Sequence, residues 1–131
     1  MAKANQTTAN YAVVIAESSK ELNAKDRIRL KDTSDAVKLD EATKDGAIII
    51  TPVAYVILNI HNEKSDNVDY NNYLIENEDG TKYVTGSESF WNSFMDIYEE
   101  MKNEKDPWQI KAYRLPSKNY KGKEFLTCSI I

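Results

Sequence analysis

The chain has 131 residues, 41% hydrophobic and 29% charged, which suffices for one domain with a real core but not for two. Its net charge is −4, its single cysteine excludes an internal disulfide, and its apolar runs are too short to cross a bilayer as a helix. The polar start MAKANQTTAN lacks the apolar stretch of a secretory signal, so a cytoplasmic protein with no membrane partner is expected.

Residues 1 to 10 are small and polar and are expected to be disordered. Tyr11 to Glu17, YAVVIAE, is a β-branched run that predicts a short strand. Residues 18 to 46 are heavily charged and fit neither the helical nor the strand period cleanly. A strand at Arg27 to Lys31 and some helix near Ser34 to Thr43 are the expectations there. Residues 1 to 46 therefore read as an N-terminal arm, partly disordered, and residues 47 to 131 as the folded core of a single domain.

The run AIIITPVAYVILNIHNE, from Ala47, is β-rich and too long for one flat strand. Pro52 cannot donate to a ladder, so it marks an edge, a bulge or the start of the main strand. Beyond it Ala54, Val56, Leu58 and Ile60 alternate with Val53, Tyr55, Ile57, Asn59 and His61. Both sets are partly apolar, as in a strand buried on more than one side. After the polar loop HNEKSDNVD, the stretch YNNYLIENEDGTKYVTG predicts two short strands about Asp79-Gly80, the signal of a type I′ turn.

Past Gly86 the period changes. Phe90, Trp91, Phe94, Met95, Ile97, Tyr98 and Met101 recur at helical spacing, with Ser87 or Ser89 as N-cap and an end before Pro107. That spacing explains Phe90, Trp91 and Phe94 as core, and Trp108 reads as packing. WQIKAYRL and EFLTCSII are two further strands joined by PSKNYKGK, with Leu126 and Cys128 pointing inward.

From residue 47 the order is strand, strand, strand, helix, strand, strand. A mainly β, α+β domain is expected, and this is the element order of an OB-fold, a five-stranded Greek-key barrel with one helix between strands 3 and 4. In that fold the loops at residues 61 to 70 and 115 to 123 flank a ligand groove whose floor is the faces of strands 2 and 3.

Charge points to the same place. From Trp108 onward the chain carries Lys111, Arg114, Lys118, Lys121 and Lys123 against Glu124 alone, a net of +4, which leaves −8 for residues 1 to 107. Single-stranded nucleic acid is held by cations along its phosphates and aromatic faces under its bases. The candidates are Lys111, Arg114, Lys118, Lys121 and Lys123 for phosphate and Tyr113 and Tyr120 for stacking, joined from the floor by Tyr70, Tyr73, Lys82 and Tyr83. Alternation turns Tyr83 outward if Val84 is core, while the face of Tyr73 stays open. Taken singly, a lysine-rich loop is a solvated turn and a strand tyrosine a half-buried packing residue. Their coincidence at the expected groove is what favours nucleic acid.

GTKYVTGSESFWNSFMDIYEEM and YRLPSKNYKGKEFLTCSII resemble the single-stranded DNA-binding proteins encoded by phages and conjugative plasmids of Gram-positive bacteria, over about residues 47 to 131. The resemblance implies an OB-fold that coats single-stranded DNA during replication or conjugative transfer without sequence preference. The housekeeping bacterial members end in a glycine-rich linker and an acidic tail that recruits partners. This chain ends in TCSII, which reads as strand, so recruitment through such a tail is not expected. A homo-oligomer is expected instead, with the N-terminal arm packing on a neighbouring subunit.

No enzyme is expected. His61 and Cys128 are the only residues of their kinds, Cys128 alternates with core positions, and no zinc ligand set or glycine-rich phosphate loop exists. Glu76, Glu78 and Asp79 crowd a hairpin turn and read as a solvated acidic tip, so neither metal nor cofactor is expected. The alternative is a protein-binding OB module, such as an acidic inhibitor that mimics DNA, for which the −8 of residues 1 to 107 speaks. Preference between DNA and RNA, site size and oligomer number are not written in these residues.

Overall fold

The structure, a computed structural model, describes residues 10 to 131; the start expected to be disordered lies, but for Asn10, outside the described residues. Along the chain run β1 (Tyr11–Ser18), α1 (Ala24–Lys31), β2 (Val37–Lys38), α2 (Leu39–Ala42), β3 (Ile48–Ile50), β4 (Pro52–Asn62), β5 (Asp69–Asn77), β6 (Lys82–Thr85), α3 (Glu88–Met101), β7 (Ile110–Pro116) and β8 (Glu124–Ile130). They form a mainly β fold of two sheets, the larger ordered β1-β4-β5-β6-β2 and the smaller β3-β7-β8. Among the described residues no helix is long and apolar enough to cross a membrane.

The run from Ile48 to Asn62 serves both sheets. β3 pairs antiparallel with β7, and β4 pairs with β1 and β5. The switch falls at Pro52, which lacks an N–H to give, and the register slips between Pro52 and Ala54. The double-sided pattern of β4 has a direct cause. Tyr55 and Ile57 face one apolar cluster, with Tyr73, Ile75, Trp91 and Phe94, while Val56, Leu58 and Ile60 face a second, with Val13, Leu30 and Leu74.

α3 begins where Ser87 Oγ accepts from the Phe90 amide, and it ends before Pro107 as expected. Its buried Phe90, Trp91 and Phe94 fill the space between the two sheets, with Trp91 stacked on Tyr73 at 4.7 Å between ring centroids. The β5–β6 hairpin differs from the expected two-residue turn. Gly80 N–H donates to Asn77 O at 2.9 Å and Asn77 N–H to Thr81 O at 2.8 Å, so the turn runs from Asn77 to Gly80. Gly80, with φ of +92°, is the last residue of that turn and the left-handed residue of a three-residue loop.

The sheets do not close into the expected five-stranded barrel. At the edge of β6, β2 is the strand paired, parallel, through Val37 with Tyr83 and Lys38 with Val84. Residues 11 to 46, the described part of the N-terminal segment after Asn10, pack on the larger sheet. They strap the larger sheet: β1 pairs on the β4 edge, α1 lies over the sheet face, and β2 takes the opposite edge. The strand expected at Arg27 to Lys31 is helix, because Asn23 caps it by accepting from the Asp26 amide and Leu30 alone, 1% exposed, docks it. Ile28, two residues from Leu30, is 66% exposed on the other side of the helix.

Candidate nucleic-acid interface

β7 and β8 pair in an unbroken ladder from Ile110 with Ile130 to Pro116 with Glu124. Alternation along β7 buries Ile110 and Ala112 in the core and gives Lys111, Tyr113 and Leu115 to the outer face. Opposite residues share a face, so Phe125, paired with Leu115, and Ile49, paired with Lys111, belong to that face too. The Lys111 Nζ lies 5.0 Å from the centroid of the Tyr113 ring, and the Tyr113 hydroxyl shares a hydrogen bond of 2.6 Å with Ser129 Oγ.

The connecting tip is a defined turn. Ser117 N–H donates to Lys123 O at 2.9 Å, Lys123 N–H to Tyr120 O at 3.0 Å, and Ser117 Oγ accepts from the amides of Asn119 and Tyr120. Gly122 sits at φ of +80°, where a side chain would strain the backbone. Lys118, Lys121 and Lys123 are exposed around this turn, as is Tyr120 at 68%. Leu115, Tyr120 and Phe125, with Lys118 and Lys123, line an open concavity of about 990 Å³.

Arg114 faces the other side of β7. Its Nε donates to Thr43 Oγ1 at 3.2 Å, which ties the hairpin to the residue that ends α2, and Glu124 lies 3.9 Å from its Nη1. It holds the hairpin rather than lining the outer face.

The expected floor is otherwise occupied. Lys82, 6% exposed, donates to Arg29 O at 2.9 Å and Asp32 O at 2.7 Å and forms an ion pair with Asp35 Oδ1 at 2.8 Å. It closes the C-terminal end of α1, and its burial there keeps it from phosphate. Tyr73 is 7% exposed under Trp91 and has no face free to stack on a base. Tyr83 does not turn outward. It packs half-buried against the same aromatic cluster, and burial, with Asp79 nearby, raises its hydroxyl above the usual range. Tyr70 is half-buried against the cluster under α1. These four are withdrawn from the site as a set, because α1 and the aromatic core cover the two sides of the strands that bear them.

The loop at residues 61 to 70 carries Lys64 against Glu63, Asp66 and Asp69. His61 is held between Glu63 Oε2 at 3.0 Å from Nε2 and Asp69 Oδ1 at 2.8 Å from Nδ1. Those bonds, to Glu63 first and then Asp69, raise its pKa. Cys128 lies in the core, and burial pushes its thiol up to about 12. Among the described residues no group of three or more histidine, cysteine and carboxylate side chains is placed to hold a metal ion.

Six of the expected contacts therefore come together on one hairpin: Lys111, Tyr113, Lys118, Tyr120, Lys121 and Lys123. Phe125, Leu115 and Ile49 were missed. Period two in EFLTC, which places Leu126 inward, puts Phe125 outward and was the available signal for it. Searches against protein-family models, curated proteins and solved structures return no match to this chain.

Proposed function

We propose that the chain binds single-stranded nucleic acid without sequence preference, through the outer face of β7–β8 and the turn that joins them. The observation that carries this is the clustering of exposed Tyr120 and Phe125 with Lys111, Lys118, Lys121 and Lys123 on one hairpin of an otherwise acidic chain. Bases stack on aromatic faces at about 1 to 3 kcal/mol each, and the cations follow the phosphates. Such a surface fits coating of single-stranded DNA in replication or conjugative transfer.

The fold reading proposed with it is an opened OB-type arrangement. Its support is the element order from β3 through β8, together with the antiparallel pairing of the first part of that run with β7. In this arrangement β2 stands at the edge of β6 where a closing strand would pair.

Titration of an oligo-dT strand against salt tests the function. Four phosphates neutralised at the hairpin contribute about −3 to the log-log slope, at about −0.7 per phosphate, and changing Lys118, Lys121 and Lys123 together to Ala flattens it. Tyr120→Ala costs about 1 to 3 kcal/mol of binding if the ring stacks. Absence of binding at low salt sinks the proposal and favours an acidic protein-binding module; equal binding of duplex sinks its preference for single strands.

A further inference from the structure

A second basic surface lies where an acidic N-terminal half gave no reason to look. α1 carries Lys25, Arg27, Arg29 and Lys31 against Asp26, a net of +3 in eight residues. Arg29 is used internally, bonded to Glu76 at 3.0 Å and close to Asp26. The others are not paired with carboxylates in any ion pair among the described residues. Lys25 and Arg27 are exposed, Lys31 is half-buried, and one Nη of Arg27 donates to Leu22 O, which leaves the rest of its guanidinium free.

Between these cations stands Ile28. Lys25 is three residues before it and Lys31 three after, so all three share a helix side, opposite the buried Leu30. An isoleucine 66% exposed in the middle of a cationic row has no folding role on the side away from the sheet. Cations flanking an apolar side chain match the chemistry of a single strand, whose phosphates repeat along an edge and whose sugars and bases offer apolar faces. A duplex offers the phosphates without the exposed bases.

The geometry points to α1 as a second contact for the backbone of single-stranded nucleic acid, with Lys25, Arg27 and Lys31 on phosphates and Ile28 against a sugar or base. This role rests on the single-strand binding proposed above. It also changes the part played by the strap. α1 covers the sheet face that the expected groove would have used, and it replaces that floor with a cationic one of its own. The same segment continues into α2, whose following residue Thr43 accepts from Arg114 of the basic hairpin, so the strap connects the two surfaces.

The test compares oligo-dT titrations against salt for the full chain and for the triple variant Lys25→Gln, Arg27→Gln, Lys31→Gln. The expected result is a slope flatter by about 2, from about three lost phosphate contacts at about 0.7 each, and hence a loss of affinity that grows as the salt is lowered. The variant Lys25→Arg, Lys31→Arg should keep the wild-type slope. Ile28→Ala should weaken oligo-dT binding without changing the slope. An unchanged slope in the glutamine variant, with the hairpin lysine variant still losing affinity, overturns the role of α1 and leaves the proposed function standing. Failure of the wild-type chain to bind removes both. Retention of poly-glutamate that the glutamine variant abolishes, with oligo-dT binding unaffected, assigns α1 to an acidic protein and overturns it too. Thermal melts of each variant separate lost contact from lost fold, since the replaced side chains do not reach the core.

Discussion

The two sides of the larger sheet are closed by different chemistry. On one side α3 and the smaller sheet bury Phe90, Trp91 and Phe94 against Tyr55, Tyr73 and Ile75, with rings in stacked and edge-on contacts. On the other side the cover is α1, which buries only Leu30 and is otherwise held by polar clamps: Arg29 to Glu76, and Lys82 to the carbonyls of Arg29 and Asp32. One of those clamps is incomplete, since Glu76 Oε1 is buried with no hydrogen-bond partner among the described residues. Dispersion and area burial scale with the size of the rings, whereas a buried ion pair is offset by its desolvation. The aromatic side should therefore carry most of the global stability, and the strap should open first.

The largest effect that sharpens this contrast is Phe94→Ala, at about 3 to 5 kcal/mol, read as a fall in the midpoint of chemical denaturation. Leu30→Ala should cost about 2 to 3 kcal/mol and, in hydrogen exchange, speed the amides of residues 20 to 46 well before those of β4 and β5. Uniform acceleration across the chain would break the comparison and make the strap part of one cooperative core.

Lys82→Met should cost about 1 to 3 kcal/mol, because the carbonyls of Arg29 and Asp32 lose a buried donor. Its exchange signature should appear at the C-terminal end of α1 first. Unchanged protection there would show that the lysine is incidental to the strap.

The smallest effect is the pH dependence at His61, which lies outside both clusters and joins the end of β4 to the start of β5. Its folded-state pKa is raised by Glu63 and Asp69, so its contribution is fully present below the ordinary imidazole value of 6.5 and is lost as pH rises through the folded value. Denaturation midpoints of wild type and His61→Gln should differ more at pH 6 than at pH 9. A gap that is equal at both values would detach the imidazole charge from stability.

Much of the fold from residue 47 onward was legible, because its elements satisfy their periods locally. The helix from Glu88 has its cap and its apolar side within its own sequence, and the alternation of Val56, Leu58 and Ile60 reads directly as one buried face. Residues 18 to 46 were not legible for the opposite reason. α1 needs one buried leucine, β2 is two residues long, and the partners that stabilise them, Lys82, Glu76 and Tyr83, lie tens of residues away.

The candidate site divides along the same line. Charge and alternation alone marked Lys111, Tyr113, Lys118, Tyr120, Lys121 and Lys123, since a hairpin keeps neighbours in sequence as neighbours in space. Lys82, Tyr73 and Tyr83 looked equally available, being a cation and two aromatics on predicted strands. Only the tertiary structure removed them.

The amino-acid sequence by itself determined the elements whose hydrophobic period is strong and local: β4, α3 and the β7–β8 hairpin with its cationic turn. The tertiary structure alone decided which faces of those elements remain open. Burial depends on what folds back from elsewhere in the chain. Here a charged segment with no clear period covers one face of the sheet with α1, borders β6 with β2, and brings its own cations to the surface it makes.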